Sequence, residues 1–235
     1  MAYQLCTNNK RIYVGIIPIA GNASRMRGLP KFLLPAKNNM TLLDNAVSVF
    51  KRNDICDLYA GLSESNDYLL QNNTDFNKIV VKTKTMSETV KQITQITDSE
   101  NTETYRLILI MPDTYFNVTN EINLVKQYLD DYKIVLVCWK IKDYQIGKVG
   151  QCKIVNNEVI DIIDKDKDCS YPHFWGIISW NSTLNRIINP EWQTIGDLVR
   201  EAIKNGISVR AIVSDSDYYD CGTFDEYFQM IKNVL

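Results

Sequence analysis

Through the first two-thirds of the chain, short and nearly continuous apolar runs alternate with stretches whose apolar positions recur at helical spacing. Ile12–Ala20 predicts a buried strand, Asp57–Leu62 and Lys78–Lys82 short strands, and Tyr105–Met111 (YRLILIM) and Lys133–Lys140 (KIVLVCWK) strongly apolar ones. Between them, Thr41–Lys51 places Leu42, Leu43, Ala46, Val47 and Phe50 on one helical stripe, opened by Thr41 and Asp44 at capping-box spacing. Glu64–Asn72 and Asn120–Asp131 also read as helices, and Thr85–Ile96 opens with Thr85 and Glu88 at the same cap spacing. Strands that are apolar on both sides need cover on both sides. The alternation therefore predicts an α/β fold with a mostly parallel sheet and helices on both faces.

From about Gly147 the rhythm changes. Lys148–Val155 and Glu158–Asp164 flank Asn156-Asn157, a pattern that predicts a hairpin. Phe174–Trp180 predicts another strand, Thr194–Asn205 a helix stopped by Gly206, and Ile207–Val213 a strand. A last helix begins at Thr223, where Thr223 and Glu226 repeat the cap spacing. No repeat or linker interrupts the chain, so residues 1–235 read as one α/β domain with an antiparallel insertion in the second half.

Composition narrows the partners. With 235 residues the chain can bury a substantial core, and its 45% hydrophobic and 23% charged residues are ordinary for a globular protein. A formal net charge of −2 argues against a broad nucleic-acid interface. No apolar run is long enough to span a bilayer, and the start, MAYQLCTNNK, lacks the apolar centre of a signal peptide, so neither a membrane nor a secretory route is expected. Cys6, Cys56, Cys138, Cys152, Cys169 and Cys221 form no CxxC pair; reduced, buried thiols in a cytoplasmic protein are the expectation. A single histidine, His173, disfavours His-rich metal sites and leaves a Ser-His-Asp hydrolase only one candidate base.

The chemistry concentrates at three places that follow apolar strands. In Pro18–Pro35 (PIAGNASRMRGLPKFLLP), small residues at Ala20, Gly21, Ala23 and Ser24 are followed by Arg25 and Lys31. That order suits a polyphosphate cradled by backbone N–H groups and offset by two cations; a plain strand-to-helix loop with two solvated cations is the alternative. Met111-Pro112-Asp113-Thr114 follows YRLILIM, and Tyr219-Asp220-Cys221-Gly222-Thr223 precedes the last helix. Ligands of open α/β sheets bind beyond the carboxyl ends of strands. If the strands before Asp113 and Asp220 are parallel neighbours, the two carboxylates can share a hard cation with a polyphosphate.

In this order the segments resemble the sugar-1-phosphate nucleotidyltransferases, most closely glucose-1-phosphate thymidylyl- or uridylyltransferase-like enzymes. Ala20–Met26 with Pro30-Lys31 and Leu33-Leu34-Pro35 is similar to the opening A-G-G-x-G-T-R-L…P-K motif, and Asp113 falls in a segment resembling G-D-N-x-F. Asp164-Lys165 resembles the E-K dipeptide, with Gly176 a small residue further on, and Asp220-Cys221-Gly222-Thr223 resembles D-x-G-T. The matches keep their order over residues 12–227.

The resemblance implies a Rossmann-like, glycosyltransferase-A-like fold, with the nucleotide part at about residues 10–140 and the sugar part at about 141–235. It implies Mg²⁺-dependent attack of a sugar 1-phosphate on the α-phosphate of a nucleoside triphosphate (dTTP, UTP or CTP), releasing pyrophosphate, and leaves room for a homo-oligomer. Arg25, Lys31, Asp113 and Lys165 would be catalytic, with Asp113 and Asp220 the metal ligands. Ala20, Gly21, Asn22, Ala23, Ser24, Ser87 and Glu88 would meet the nucleotide, while Gly150, Asp164, Lys165 and Tyr218 would meet the sugar phosphate.

The chain also departs from the pattern. Asn22, Ala23 and Ser24 stand where the family has Gly, Gly and Thr or Ser, Pro112 replaces a Gly, and Asp164 is one methylene shorter than Glu. Asn22 is expected to keep the left-handed turn, and Ala23 would cost about 1 kcal/mol if its φ were positive. The opening motif is also similar to that of cytidylyltransferases acting on a polyol or choline phosphate. A catalytically weak nucleotide sensor is the third reading.

Other conspicuous residues have plainer expectations. Trp139, Trp175, Trp180 and Trp192 lie among apolar neighbours and read as core. Asp215-Ser216-Asp217 reads as a solvated loop despite its D-x-D form, Lys165–Asp168 as a wet surface, and His173 as a rim residue.

Overall fold

The structure, a computed structural model, describes residues 12–118 and 120–234. Cys6 and the rest of the opening segment MAYQLCTNNK lie outside the described residues. In chain order the elements are β1 (Tyr13–Ile19), α1 (Leu42–Arg52), β2 (Asp57–Leu62), α2 (Glu64–Leu69), β3 (Asn77–Val80) and α3 (Met86–Glu100). They continue with β4 (Arg106–Ile110), β5 (Thr114–Phe116), α4 (Glu121–Tyr128), β6 (Ile134–Lys140), β7 (Gly150–Val155) and β8 (Glu158–Asp164). The chain then runs through β9 (His173–Asn181), α5 (Gly196–Lys204), β10 (Val209–Val213), β11 (Tyr218–Asp220) and α6 (Phe224–Val234).

Local chemistry accounts for the boundaries. Thr41 Oγ1 accepts the Asp44 N–H at 3.1 Å and the Asp44 carboxylate accepts the Thr41 N–H at 2.8 Å, which completes the capping box of α1. At α3, Thr85 accepts from the Glu88 N–H, but the Glu88 carboxylate takes the Lys84 N–H rather than that of Thr85. Asn156 and Asn157 both adopt left-handed φ, 50° and 64°, the turn a tight hairpin between β7 and β8 requires.

Among the described residues, nine strands form one sheet in the order β3-β2-β1-β4-β9-β6-β10-β8-β7. β1, β2, β3 and β4 run parallel. β9 inserts antiparallel between β4 and β6, and β8 lies antiparallel to β10. Alternate side chains of each strand face opposite layers. Ile17, Ile108 and Val135 pack with Phe50 of α1 and Val125 of α4, whereas Ile16, Leu107 and Leu136 pack with Ile93 of α3 and Leu198 of α5. Truncating fully buried Phe50 to Ala would cost about 3–5 kcal/mol.

Two expectations change. β4 and β10 are not neighbours, because β9 and β6 lie between them. Their carboxylates meet through a short antiparallel ribbon instead, β5 against β11, with Asp220 opposite Thr114. Cys56 is exposed, since it lies in the turn ahead of β2, while Cys138, Cys152, Cys169 and Cys221 are buried.

The plainer expectations hold. Trp139, Trp175 and Trp180 are core residues, and Trp192 packs partly buried against the cluster that holds Trp175 and Trp180. Asp215 and Asp217 are exposed around a Ser216 whose carbonyl accepts the Trp139 indole N–H at 3.0 Å. No helix among the described residues is long and apolar enough to cross a membrane.

Candidate active site

The loop after β1 turns back on itself at Ala23, whose carbonyl accepts the N–H groups of Met26 (2.9 Å) and Gly28 (3.1 Å). Ala23 itself takes the left-handed conformation, φ 46°, followed by Arg27 at 53° and Gly28 at 80°. The turn therefore pivots on Ala23 and not on Asn22. The i→i+3 bond to Met26 sets that geometry, and Met26, fully buried against Tyr115, Tyr219 and Cys221, anchors it. A short 3₁₀ turn, Lys31–Leu33, with Phe32 buried, then aims Lys31 at the turn after β4.

There Lys31 Nζ meets Asp113 Oδ2 at 2.6 Å, with side chains only 12% and 19% exposed. The Cys221 N–H donates to the Asp113 carbonyl at 3.0 Å and brings Asp220 alongside. Burial pushes the Asp220 carboxyl up to about 7, helped by the negative charge of Asp113 and then Glu226, while Lys31 and Arg25 pull it down. A Cβ on Gly222 would stand 3.1 Å from Glu226 Oε2, 3.4 Å from Arg25 Nη1 and 3.4 Å from Asp220 Oδ1. Those three groups thus converge around a residue that leaves them room.

Beside Lys31 and Asp113 opens a cavity of about 280 Å³. One wall is the loop, with Ala20, Gly21, Ala23 and Arg25; the other is the start of α3, with Thr83, Lys84, Thr85, Met86 and Thr89. The cavity lies beyond the carboxyl ends of β1 and β4, where an open α/β sheet offers room for a ligand.

Sequence comparison adds little: neither a family model nor a curated protein matches the chain. Structure comparison is informative. A crystal structure from Bacillus anthracis, provisionally named a glucose-1-phosphate thymidylyltransferase and solved with sucrose, superposes with a TM-score of 0.79. The match covers 94% of this chain and 95% of that one, at 18% identity. The two chains share a fold.

Within that fold the expected residues divide into two groups. Ala20, Gly21, Ala23, Arg25, Lys31 and Asp113 line the cavity, and Asp220 stands behind Asp113. Ser87 and Glu88 do not belong to the lining. Ser87 is fully buried and Glu88 caps its own helix, because the first turn of α3 rotates both away from the cavity. The helix start was legible from its cap spacing, but which of its residues face the cavity was not.

The second group gathers at the open end of the β7–β8 hairpin. Gly150 pairs with Asp164, and the Lys165 N–H donates to the Val149 carbonyl at 3.2 Å. Lys165 takes a left-handed φ of 52°, leaves its side chain 53% exposed and reaches Asp164 at 3.9 Å. Burial raises the Asp164 carboxyl, against the pull of Lys165 and Arg200. None of these residues lines the cavity beside Lys31. Gly150 has a packing role: a Cβ there would lie 2.1 Å from Trp175 Nε1.

Tyr218 is buried among Phe116, Trp139 and Phe174 with ring centroids 6.2, 4.6 and 5.0 Å away. Burial and then the charges of Asp220 and Asp113 push its phenol well above the ordinary value, so it stays a protonated donor beside the carboxylates.

Asp113 and Asp220 are two hard oxygen donors that could hold a cation completed by phosphate and water. Among the described residues, no three His, Cys, Asp or Glu side chains are arranged as a full protein cage. That donor set fits Mg²⁺, which keeps waters and substrate oxygens.

Proposed function

We propose that this chain transfers a nucleoside monophosphate from a pyrimidine nucleoside triphosphate to a sugar 1-phosphate, with Mg²⁺, and releases pyrophosphate. The observation that carries this reading is the convergence of Arg25, Lys31, Asp113 and Asp220 at one end of the sheet, beside a cavity walled by the loop after β1 and the start of α3.

The loop would hold the triphosphate through backbone N–H groups near Gly21 and Ala23. Arg25 would neutralise the leaving β- and γ-phosphates, and Lys31 the charge that develops on the α-phosphate. A phosphate monoester dianion is already nucleophilic, so positioning and charge neutralisation are the work left to the protein. Asp113 and Asp220 would hold Mg²⁺, which when bound would supply further positive charge against that of the phosphates. The group at Gly150, Asp164 and Lys165 would receive the sugar phosphate, with the Tyr218 phenol as a nearby donor.

A pyrophosphate-release assay crossing dTTP, UTP and CTP with sugar 1-phosphates, polyol phosphates and phosphocholine tests the reading. Release with a sugar 1-phosphate is the expected result. Release with a polyol phosphate or phosphocholine alone would replace the acceptor, and tight nucleotide binding without release in any pairing would replace the enzyme by a sensor.

A further inference from the structure

Glu226 is a buried carboxylate that the proposed chemistry leaves without a task. Its side chain is 7% exposed, accepts the Thr223 hydroxyl hydrogen on Oε2 at 2.9 Å, and pairs through Oε1 with Lys148 Nζ at 3.1 Å. Capping α6 requires only the bond from the Glu226 N–H to Thr223 Oγ1, at 3.3 Å. The ion pair is additional.

The partner comes from far away in sequence. Lys148 follows Gly147, whose φ of 74° turns the chain into the β7–β8 hairpin. The same connection lies across the Asp220 segment, since Lys142 Nζ sits 5.0 Å from the centre of the Tyr219 ring. Lys148 keeps 42% of its side chain exposed while its ammonium is paired with a buried anion. A buried carboxylate is costly to desolvate and is stabilised by fixing its partner; here it fixes a lysine next to the residues around Gly222.

The side of the site matters. Lys31 and Asp113 line the nucleotide cavity, whereas Asp220, Glu226 and Lys148 do not. We infer that Lys148, positioned by Glu226, is a further phosphate-binding cation, which meets the phosphate of the acceptor beside the carboxylates and outside the cavity lining. This rests on the transferase reading for the identity of the phosphate's carrier, although the anion site itself does not.

Lysine labelling tests both parts separately. The protein with Mg²⁺ is treated with a small amine-acylating reagent, and each lysine is followed by mass spectrometry with and without inorganic phosphate. The expected result is that phosphate slows acylation of Lys148 about five-fold and leaves exposed Lys153 and Lys204 unchanged. Glu226→Gln, which keeps an acceptor for Thr223, should abolish most of that protection. In turnover, Lys148→Ala should raise the KM for the acceptor at least ten-fold with the KM for the nucleotide within two-fold, and Lys148→Arg should restore most of the loss.

Unchanged acylation of Lys148 in the presence of phosphate would overturn the inference, as would equal losses in Lys148→Ala and Lys148→Arg. Nucleoside triphosphates that fail to protect Lys31, while phosphate still protects Lys148, would overturn the transferase reading and leave the phosphate site standing.

Discussion

Lys31 Nζ lies 2.6 Å from Asp113 Oδ2 and joins the loop after β1 to the turn after β4. The pair does two jobs. In the proposed reaction it would place a cation at the α-phosphate, and it offsets part of the repulsion between Asp113 and Asp220. Lys31→Ala should therefore lower turnover about 10²–10³-fold, the effect of losing one preorganised charge-stabilising donor. Circular dichroism and gel filtration should be unchanged. Wild-type turnover in the variant would remove Lys31 from the mechanism.

Asp220 makes stability depend on pH. Its folded value of about 7 lies above the ~3.9 of an unfolded aspartate, so the folded state binds the proton more tightly. The stability it contributes is complete below about pH 4 and is lost as pH rises through 7. Asp220→Asn removes that dependence. Without divalent cations it should be more stable than wild type at pH 8 by on the order of 2 kcal/mol, and indistinguishable near pH 4. Urea unfolding at both pH values measures it, and a variant less stable than wild type at pH 8 would contradict a charge destabilised by burial and by Asp113.

Ala23 carries a Cβ at a φ of 46°, a conformation in which glycine is favoured by about 1 kcal/mol. Ala23→Gly should raise the melting temperature by a few degrees or leave it level, since the greater entropy of the unfolded chain offsets part of the gain. Turnover should hold or rise. A loss of both would mean that the Ala23 methyl is a contact the site needs.

Gly150 tolerates no side chain. Its Cβ would overlap the Trp175 indole at 2.1 Å, and Gly150→Ala should cost about 1–3 kcal/mol, as overpacking does. Adding Trp175→Leu should recover part of the cost. Denaturant titration of the single and double variants decides whether Trp175 is the obstacle.

Much of this was readable along the chain. The period-two and helical patterns placed β2 at Asp57–Leu62 and α1 beside its Thr41 cap, because burial periodicity and capping are properties of neighbouring residues. The polar segments at Gly21–Lys31, Asp113 and Asp220 stood out because each follows an apolar strand, whereas their order with Lys165 was read from resemblance to a family. The ribbon of β5 and β11 was not, since three-residue strands carry no measurable period.

The sequence by itself determined the layered α/β architecture, the β7–β8 hairpin and the identity of the charged candidates. Only the tertiary structure decided which of them meet. β9 and β6 separate the strands that precede Asp113 and Asp220, and the ribbon of β5 and β11, with Asp220 opposite Thr114, brings the two segments together from outside the sheet. The rotation of α3 chose Thr85 and Met86 over Ser87 and Glu88 for the cavity wall. The pairing of Lys148 with Glu226 spans 78 residues. Such contacts are set by how elements pack, and a pattern confined to one element does not carry them.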